Sequence, residues 1–325
     1  MKQVTFAALM LLLAQFLLPV LLIRGQLPGT GQEQLTDLLP LHQSAQGQDA
    51  GHQVELLMED GTAAALSLDD YLWGVVAAEM PASFQLEALK AQAVAARTYW
   101  AARSPDKHEG GICSDSGCCQ AYITRQEAEA NWGDKSADYA RHIARAVEET
   151  DGIIAVYDGR PIQALFFSSA PGSTVDARAV WGEEVPYLVG VASPEGEEVP
   201  NYRSQLTVSA DELKTAVLEQ YPQADLSGGC DGWFSEFVRE PSGTVNTVKV
   251  GGVHLKGSQV RKLLGLRSAC FTVSVSGQQV TFHVTGYGHG VGMSQYGANA
   301  MAGQGRSFRE ILTWYYTGAE LAMMD

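Results

Sequence analysis

The sequence predicts an α+β fold: helices and short antiparallel strands mixed in a single elongated extracytoplasmic domain that follows one N-terminal transmembrane helix. Three observations carry that expectation. Apolar residues recur at helical spacing in several stretches, many of them opened by a capping residue. Between them lie short alternating runs joined by turn dipeptides such as Asp158-Gly159 and Ser276-Gly277. Residues 4–23 are overwhelmingly apolar, about the length that a bilayer core asks of a helix.

That apolar run assigns residues 1–24 to a membrane anchor. A cleavable signal peptide has a shorter apolar region and a small-residue cleavage site, and LLIRGQLPG offers no such site. Lys2 lies on one side of the run and Arg24 on the other, after which the next Lys or Arg is Lys90, so the positive-inside rule places the body outside. Residues 25–52, rich in Gln, Gly and Pro without periodicity, read as a flexible linker. Residues 53–325 are left as the folded domain, long enough for a sizeable core.

A net charge of -15 and a pI near 4.9 argue against a polyanion such as nucleic acid as the main ligand. Neutral or mixed-charge polymers stay open. The five cysteines are an odd count for an exported chain, with Cys113, Cys118 and Cys119 clustered near His108 and with Cys230 and Cys270 apart, a candidate disulfide.

The folded part opens with VELLM, a turn at Glu59-Asp60-Gly61, and TAAAL, which together read as a hairpin. Ser67 then stands where it can cap a helix on which Leu72, Val75, Val76 and Glu79 fall at i, i+3, i+4 and i+7. An acid therefore shares the stripe that such a helix turns inward. Pro81 biases Met80 away from helical angles, so the helix should stop near Glu79 and leave its carboxylate at the negative end of the macrodipole. Desolvation and that field both favour the protonated form, as a general acid requires. The bland alternative is a helix-end glutamate that reaches solvent. Ser83 can cap the next helix, whose Leu86, Leu89, Ala93 and Ala96 form an apolar edge of mostly small residues.

HEGGICSDSGCC places His108, Cys113, Cys118 and Cys119 in one short loop of soft ligands. Adjacent cysteines do not easily both bind one tetrahedral ion, so His108, Cys113 and Cys119 make the better zinc trio, with the fourth ligand open and a redox disulfide as the rival. Thr124 with Glu127, Ser209 with Glu212, and Ser307 with Glu310 form capping boxes. Tyr139, Ile143, Ala146 and Val147 mark a further amphipathic helix. GIIAVY, Asp158-Gly159 and RPIQALFFSSA read as a hairpin, and PGSTVDARAVWGEEVPYL as a loop whose Ser and Thr hydroxyls suit a sugar as well as ordinary turn chemistry.

Short strands follow Gly228, and Ser258 can cap a short helix through Leu264. Two alternating strands then lead into GYGHGVGMSQYGANAMA, whose glycines point to close backbone approach around His289, Ser294 and Gln295. The glycine spacing fits neither the dinucleotide fingerprint nor the Walker loop. Phe308, Ile311, Leu312 and Tyr315 share one face of a last helix. No paired carboxylates, G-x-S-x-G or H-E-x-x-H appears, which leaves hydrolase templates without a foothold.

Five ordered blocks resemble the stage II sporulation protein D family, membrane-anchored lytic transglycosylases of spore-forming bacteria. They are YLWGVVAAEMPASFQLEALKAQAVAARTY, CQAY, VWGEEVPYL, GYGHGVGMSQYGANAMA and ILTWYYTG, within a likeness spanning residues 54–318. The resemblance implies that Glu79 is the catalytic acid, cleaving the bond between N-acetylmuramic acid and N-acetylglucosamine in peptidoglycan and closing a 1,6-anhydro ring. It implies a structural zinc on His108, Cys113 and Cys119, no organic cofactor, and glycan contacts from Ser168, Ser169, Thr174, His289, Ser294, Gln295 and Tyr296.

By the same resemblance the partners are peptidoglycan glycan strands, a peptidoglycan amidase and a polytopic membrane protein of the engulfment machinery. The protein would sit in the mother-cell membrane facing the forespore septum. Where relatives commonly carry Ser-Gly-Gly and then Thr-Glu, this chain has Ala170-Pro171-Gly172 and Thr174-Val175, so the acid is absent at Val175 and Asp176 stands beside it. A second function, a non-catalytic glycan-binding regulator like the amidase enhancers of the family, would use the same groove.

Overall fold

The computed structural model describes residues 47–58, 61–103, 108 and 111–324. The expected anchor and most of the expected linker lie outside them, as do Glu59 and Asp60 of the first turn. Among the described residues no helix is long and apolar enough to cross a membrane.

The described body is one compact unit with two hydrophobic clusters. The first is built around helices. Strands β1 (Gln53–Leu57) and β2 (Ala63–Ser67) form the expected hairpin, and α1 (Leu68–Glu79) and α2 (Leu86–Ala101) follow. Then come β3 (Ile112–Cys113), α3 (Arg125–Trp132) and α4 (Ser136–Glu148). A second hairpin joins β4 (Ile153–Tyr157) to β5 (Arg160–Pro161), before β6 (Phe166–Phe167) and α5 (Ala177–Trp181). Helix α2 is the hub, packing on α1, α4 and β4 and on two helices from the far end of the chain.

The second cluster is a strand-rich insertion between these parts. It comprises β7 (Arg203–Ser209), α6 (Ala210–Gln220), β8 (Phe234–Arg239), β9 (Val245–Val250), β10 (Val253–Lys256), α7 (Gly257–Leu264), β11 (Phe271–Ser276) and β12 (Gln279–Thr285). Two three-stranded antiparallel sheets, ordered β11-β12-β7 and β10-β9-β8, close over Val248, Phe271, Val280 and Phe282. The chain then returns to the first cluster with β13 (Met293–Ser294), α8 (Gln295–Gly303), α9 (Phe308–Tyr315) and β14 (Glu320–Met323), which pairs with β4.

The mixture of helices and short strands agrees with the sequence. Two pairings do not: β1 with β3 and β6 with β13 are parallel, because distant segments meet there rather than the arms of a hairpin. All three capping boxes form, and Phe308, Ile311, Leu312 and Tyr315 are buried together. Three caps differ. Ser67 occupies the cap position of α1 without bonding its backbone, its hydroxyl donating instead to Asp70. Helix α2 begins at Leu86, with Gln85 rather than Ser83 before it, since Asn299 accepts from the Gln85 amide. Lys256, not Ser258, precedes α7. The segment around Ala177 holds the short helix α5 rather than only loop.

Cys230 and Cys270 are free thiols that donate to different carbonyls, Gly277 and Ser242, so the expected pairing is not made. Helix α2 is buried on every side rather than along one edge, which exposes its polar residues to a dry interior. Arg97, fully buried, is met by Asp49, 1% exposed: Nε donates to Oδ1 at 2.8 Å, a terminal amino group donates to Oδ2, and the other donates to the Ile153 carbonyl at 3.0 Å. Residues 47–52, assigned by composition to the linker, thus belong to the folded body, and Asp151 accepts from the Gln48 and Asp49 amides.

Breaking one side of a buried, bidentate pair strands the other charge, at about 3–5 kcal/mol. Asp49→Ala is expected to lower the unfolding free energy by that order in a denaturant titration, although Asp49 lies in a stretch that looks like tether.

Candidate active site

Helix α1 ends at Glu79 because Met80 takes extended angles (φ −123°, ψ 144°) before Pro81. The carboxylate is half-buried, as expected from its place on the apolar stripe. Oε1 accepts from the Ala121 amide at 2.8 Å and Oε2 from Gln295 Nε2 at 3.4 Å. Gln295 opens α8, and the same Nε2 lies 3.5 Å from Oε1 of the fully buried Gln92 of α2. Burial, the largest influence, raises the Glu79 carboxyl above its ordinary 4.5, against the two hydrogen bonds, which favour the charged form.

Ala121 reaches Glu79 because α1 carries Gly74 where the 121–123 segment crosses. A Cβ at Gly74 would stand 2.2 Å from the Tyr122 ring and 2.8 Å from the Ile123 carbonyl, and the Gly74 carbonyl accepts from the Ile123 amide. Only glycine permits that approach.

The same segment ties the acid to the cysteine loop through three consecutive residues. Cys119 belongs to the loop, Gln120 accepts from the buried Tyr71 hydroxyl at 2.9 Å, and Ala121 donates to Glu79. His108, Cys113, Cys118 and Cys119 each bring a ligand atom within 4.8 Å of the others, and His108 Nε2 lies 3.3 Å from Cys118 Sγ. Cys118 therefore joins the expected trio, against the expectation that neighbouring cysteines would diverge. The Asp115 carbonyl accepts from both the Cys118 and Cys119 amides, a tight turn that curls the two side chains towards one point. Burial, followed by the neighbouring thiols, pushes the Cys113 thiol up to about 12. Two to three thiols with an imidazole suit a closed tetrahedral metal site.

Of the residues expected to line the glycan groove, Gln295 is the one that touches Glu79. The Ser294 hydroxyl is buried, bonding the Glu195 carboxylate and capping α8. Ser169 is buried and its backbone pairs with Tyr287. Thr174 is buried with its hydroxyl on the Val191 backbone. The Thr174 and Ser294 hydroxyls satisfy internal groups instead of facing outward, which their residue types alone do not reveal. The Ser168 carbonyl accepts from the Tyr296 amide, and the Tyr296 ring packs edge-on against Phe84. His289 Nε2 donates to the Phe166 carbonyl while Nδ1 accepts from the Val291 amide. Burial, with Arg261 nearby, brings its pKa down to about 4. It is a neutral strut, facing a cavity that Glu79 does not line.

The glycine run has the close approach expected of it: Gly292, at φ +78°, leaves no room for a Cβ, which would stand 2.1 Å from the Leu165 carbonyl. Asp176 caps α5 and so does not take the place of an acid at Val175, which is buried against Gly290. Sequence reasoning missed Gln92, Gln120, Tyr71 and the Ala121 amide. It also missed Glu195, a buried acid that accepts from Ala170 N, Ser193 Oγ and Ser294 Oγ. The signal for Gln92 and Gln120 was polarity inside apolar stretches.

Gly74→Ala should push the 121–123 segment off α1, seen as faster hydrogen exchange at the Ala121 amide and a lower Tm. Because its folded pKa is raised, Glu79 contributes its full stability below its unfolded value and loses it as pH rises through the folded one. Glu79→Gln should therefore raise Tm at pH 7, with the gain vanishing in acid below the ordinary carboxyl range.

The Stage II sporulation protein family model matches residues 59–157, the stretch that holds Glu79, Ala121 and the cysteine loop. The chain is 39% identical over 265 residues to the Stage II sporulation protein D of Bacillus amyloliquefaciens, covering 80% of this chain and 75% of that protein. It is 37% identical over 265 residues to the protein of the same name in Bacillus subtilis (strain 168), covering 80% and 76%. The Bacillus subtilis protein named Amidase enhancer is 30% identical over 302 residues, covering 77% of this chain and 40% of that one. Likeness of this extent along three quarters of two curated relatives places the chain in the stage II sporulation protein D family.

Proposed function

We propose that the chain is a peptidoglycan lytic transglycosylase that cuts the N-acetylmuramic acid to N-acetylglucosamine bond and leaves 1,6-anhydro ends during cell-wall remodelling in sporulation. The observation that carries this reading is Glu79: a single half-buried acid, its carboxyl raised by burial, held by one backbone amide and one neutral side-chain amide. Protonated Glu79 gives its proton to the leaving O4 of N-acetylglucosamine as the bond to C1 of the muramic acid breaks. The carboxylate, stabilised by Ala121 N–H and Gln295, then takes the proton of the muramic acid 6-hydroxyl as O6 bonds to C1. One acid serves both steps, and an intramolecular hydroxyl stands in for water. The side-chain amide of Gln295 can offer either end, a donor to the carboxylate or an acceptor to the acid.

Zinc would be held by His108, Cys113, Cys118 and Cys119, where it would supply structural closure of the loop that presents Gln120 and Ala121. The partners in this reading are glycan strands, an amidase and a polytopic membrane protein of the engulfment machinery, with residues 1–24 as the anchor and the body outside. The relative named Amidase enhancer supports a second reading, a regulator that holds glycan without cutting it.

Mass spectrometry of glycan strands treated with the protein should find 1,6-anhydro ends, none with Glu79→Gln, and a rate that falls as pH rises through the raised Glu79 pKa. Reducing, hydrated ends would mean a hydrolase, and no cleavage of intact or peptide-stripped strands would favour the regulator. Emission spectroscopy should count about one zinc per chain and a loss in Cys113→Ser and in Cys118→Ser, whereas a metal-free wild type would refute the site.

A further inference from the structure

Where the strand-rich insertion meets the first cluster lies a cavity of 110 Å³, several times the ~10–15 Å³ that a single water needs. Val175, Trp181 and His289 line it from one side and Glu240, Asn246 and Arg261 from the other. Arg261 Nε donates to the Leu266 carbonyl at 3.2 Å. Among the described residues its two terminal amino groups meet no acceptor, and no carboxylate pairs with it. A guanidinium with an unused fork suits a planar carboxylate.

The other charged wall, Glu240, is turned aside, accepting from Asn246 Nδ2 at 2.7 Å. His289 is neutral at physiological pH, with both ring nitrogens engaged. At the mouth Trp181 is 47% exposed, its ring 5.6 Å from that of His289, and Lys256 Nζ reaches the Val180 carbonyl beside it. Tyr287, 43% exposed, lies under the Arg267 guanidinium at 3.8 Å. Exposed aromatic faces beside cations, on a chain of net charge -15, form an unusual local surface. Sugar rings pack on such faces, while the cations select an acidic substituent.

We propose that this cavity is a carboxylate-binding subsite for the glycan strand, in which Arg261 holds the carboxylate and Trp181 carries the sugar ring to which it is attached. The inference rests on the reading of peptidoglycan as substrate and adds a site apart from Glu79. Two sources supply such a group: the lactyl carboxylate of a muramic acid without its peptide, and the terminal carboxylate of an attached peptide. Val175 is part of the mechanism. A small apolar side chain there leaves Arg261 unneutralised, whereas an acid would satisfy it from within.

The test is binding to the full chain, followed by saturation-transfer NMR. The probes are N-acetylmuramic acid, N-acetylmuramyl-L-alanine, whose lactyl carboxylate is blocked and whose peptide carboxylate is free, and neutral N-acetylglucosamine. At least one acidic probe should bind about tenfold or more tightly than the neutral sugar, the loss expected for a charge-assisted pair, and the tighter of the two identifies the source. Arg261→Gln and Val175→Glu should each bring the acidic probes down to the neutral level, and Arg261→Lys should restore part of the difference. The readout is binding and not cleavage, so a failure of the catalytic reading leaves this result standing. Equal binding of all three probes, binding of none, or acidic binding that survives Arg261→Gln would overturn the proposal.

Discussion

Arg97 has no exposed surface, and its guanidinium grips Asp49 through parallel hydrogen bonds while its remaining amino group holds the Ile153 carbonyl. The pair exists because α2 is surrounded. A helix that packs on every side buries its polar residues with its apolar ones, and most of their polar atoms find a partner inside. Thr98 answers by donating to Val94 and accepting from Ala155, Lys90 by pairing with Glu87 and Glu149, and Gln92 by accepting at Oε1 from Gln295, while Gln92 Nε2 and Trp100 Nε1 meet no partner among the described residues. These bonds draw residues 47–52, the β4 strand and α8 onto one helix, so segments far apart in the chain acquire fixed positions relative to Glu79.

The acid is held by the same logic. Glu79 lies at the end of α1, where solvent is scarce and the helix field opposes its charge, and the groups that temper it come from two other places. Ala121 arrives on a segment pinned by Gly74 and by the Tyr71 to Gln120 bond, and Gln295 arrives on a helix whose start is capped by Ser294. Glu195 sits beneath that cap and accepts from groups of the interior, anchoring Ser294, Ser193 and Ala170. A buried acid without exposed surface to a substrate is here a fastening, and the half-buried one is the reactive candidate. The cysteine loop bears on Glu79 through the backbone, since Cys119, Gln120 and Ala121 are consecutive.

The second cluster gives the molecule a different kind of surface. Its sheets close over their own core, and where they face the first cluster the seam sets Glu240, Arg261, Trp181 and His289 among small apolar side chains such as Val175, Val180 and Val245. His289, a member of the glycine-rich turn, is the residue common to the seam and to the frame behind α8. Its ring is locked by two backbone groups, so it contributes shape there and no proton chemistry.

What could be read along the chain was local. Periodicity placed Glu79 on an inward stripe, Pro81 ended its helix, and three Ser/Thr–Glu pairs marked helix starts, because each depends on residues within one or two turns. Residue types located the soft ligands near position 113. Other features needed the third dimension. The turn at Asp115 brings Cys118 into the cluster, Thr174 and Ser294 spend their hydroxyls on internal partners, Ser169 is buried, and Asp49 leaves an apparent tether to enter the core. Cys230 and Cys270 find separate carbonyls. A sequence determines which groups a chain owns and which local shapes they favour, so it named the acid and the likeness to a family. Which groups meet that acid was decided only when α2 was buried, since the pairing of polar groups in a dry interior chooses partners by position in space and not by distance along the chain.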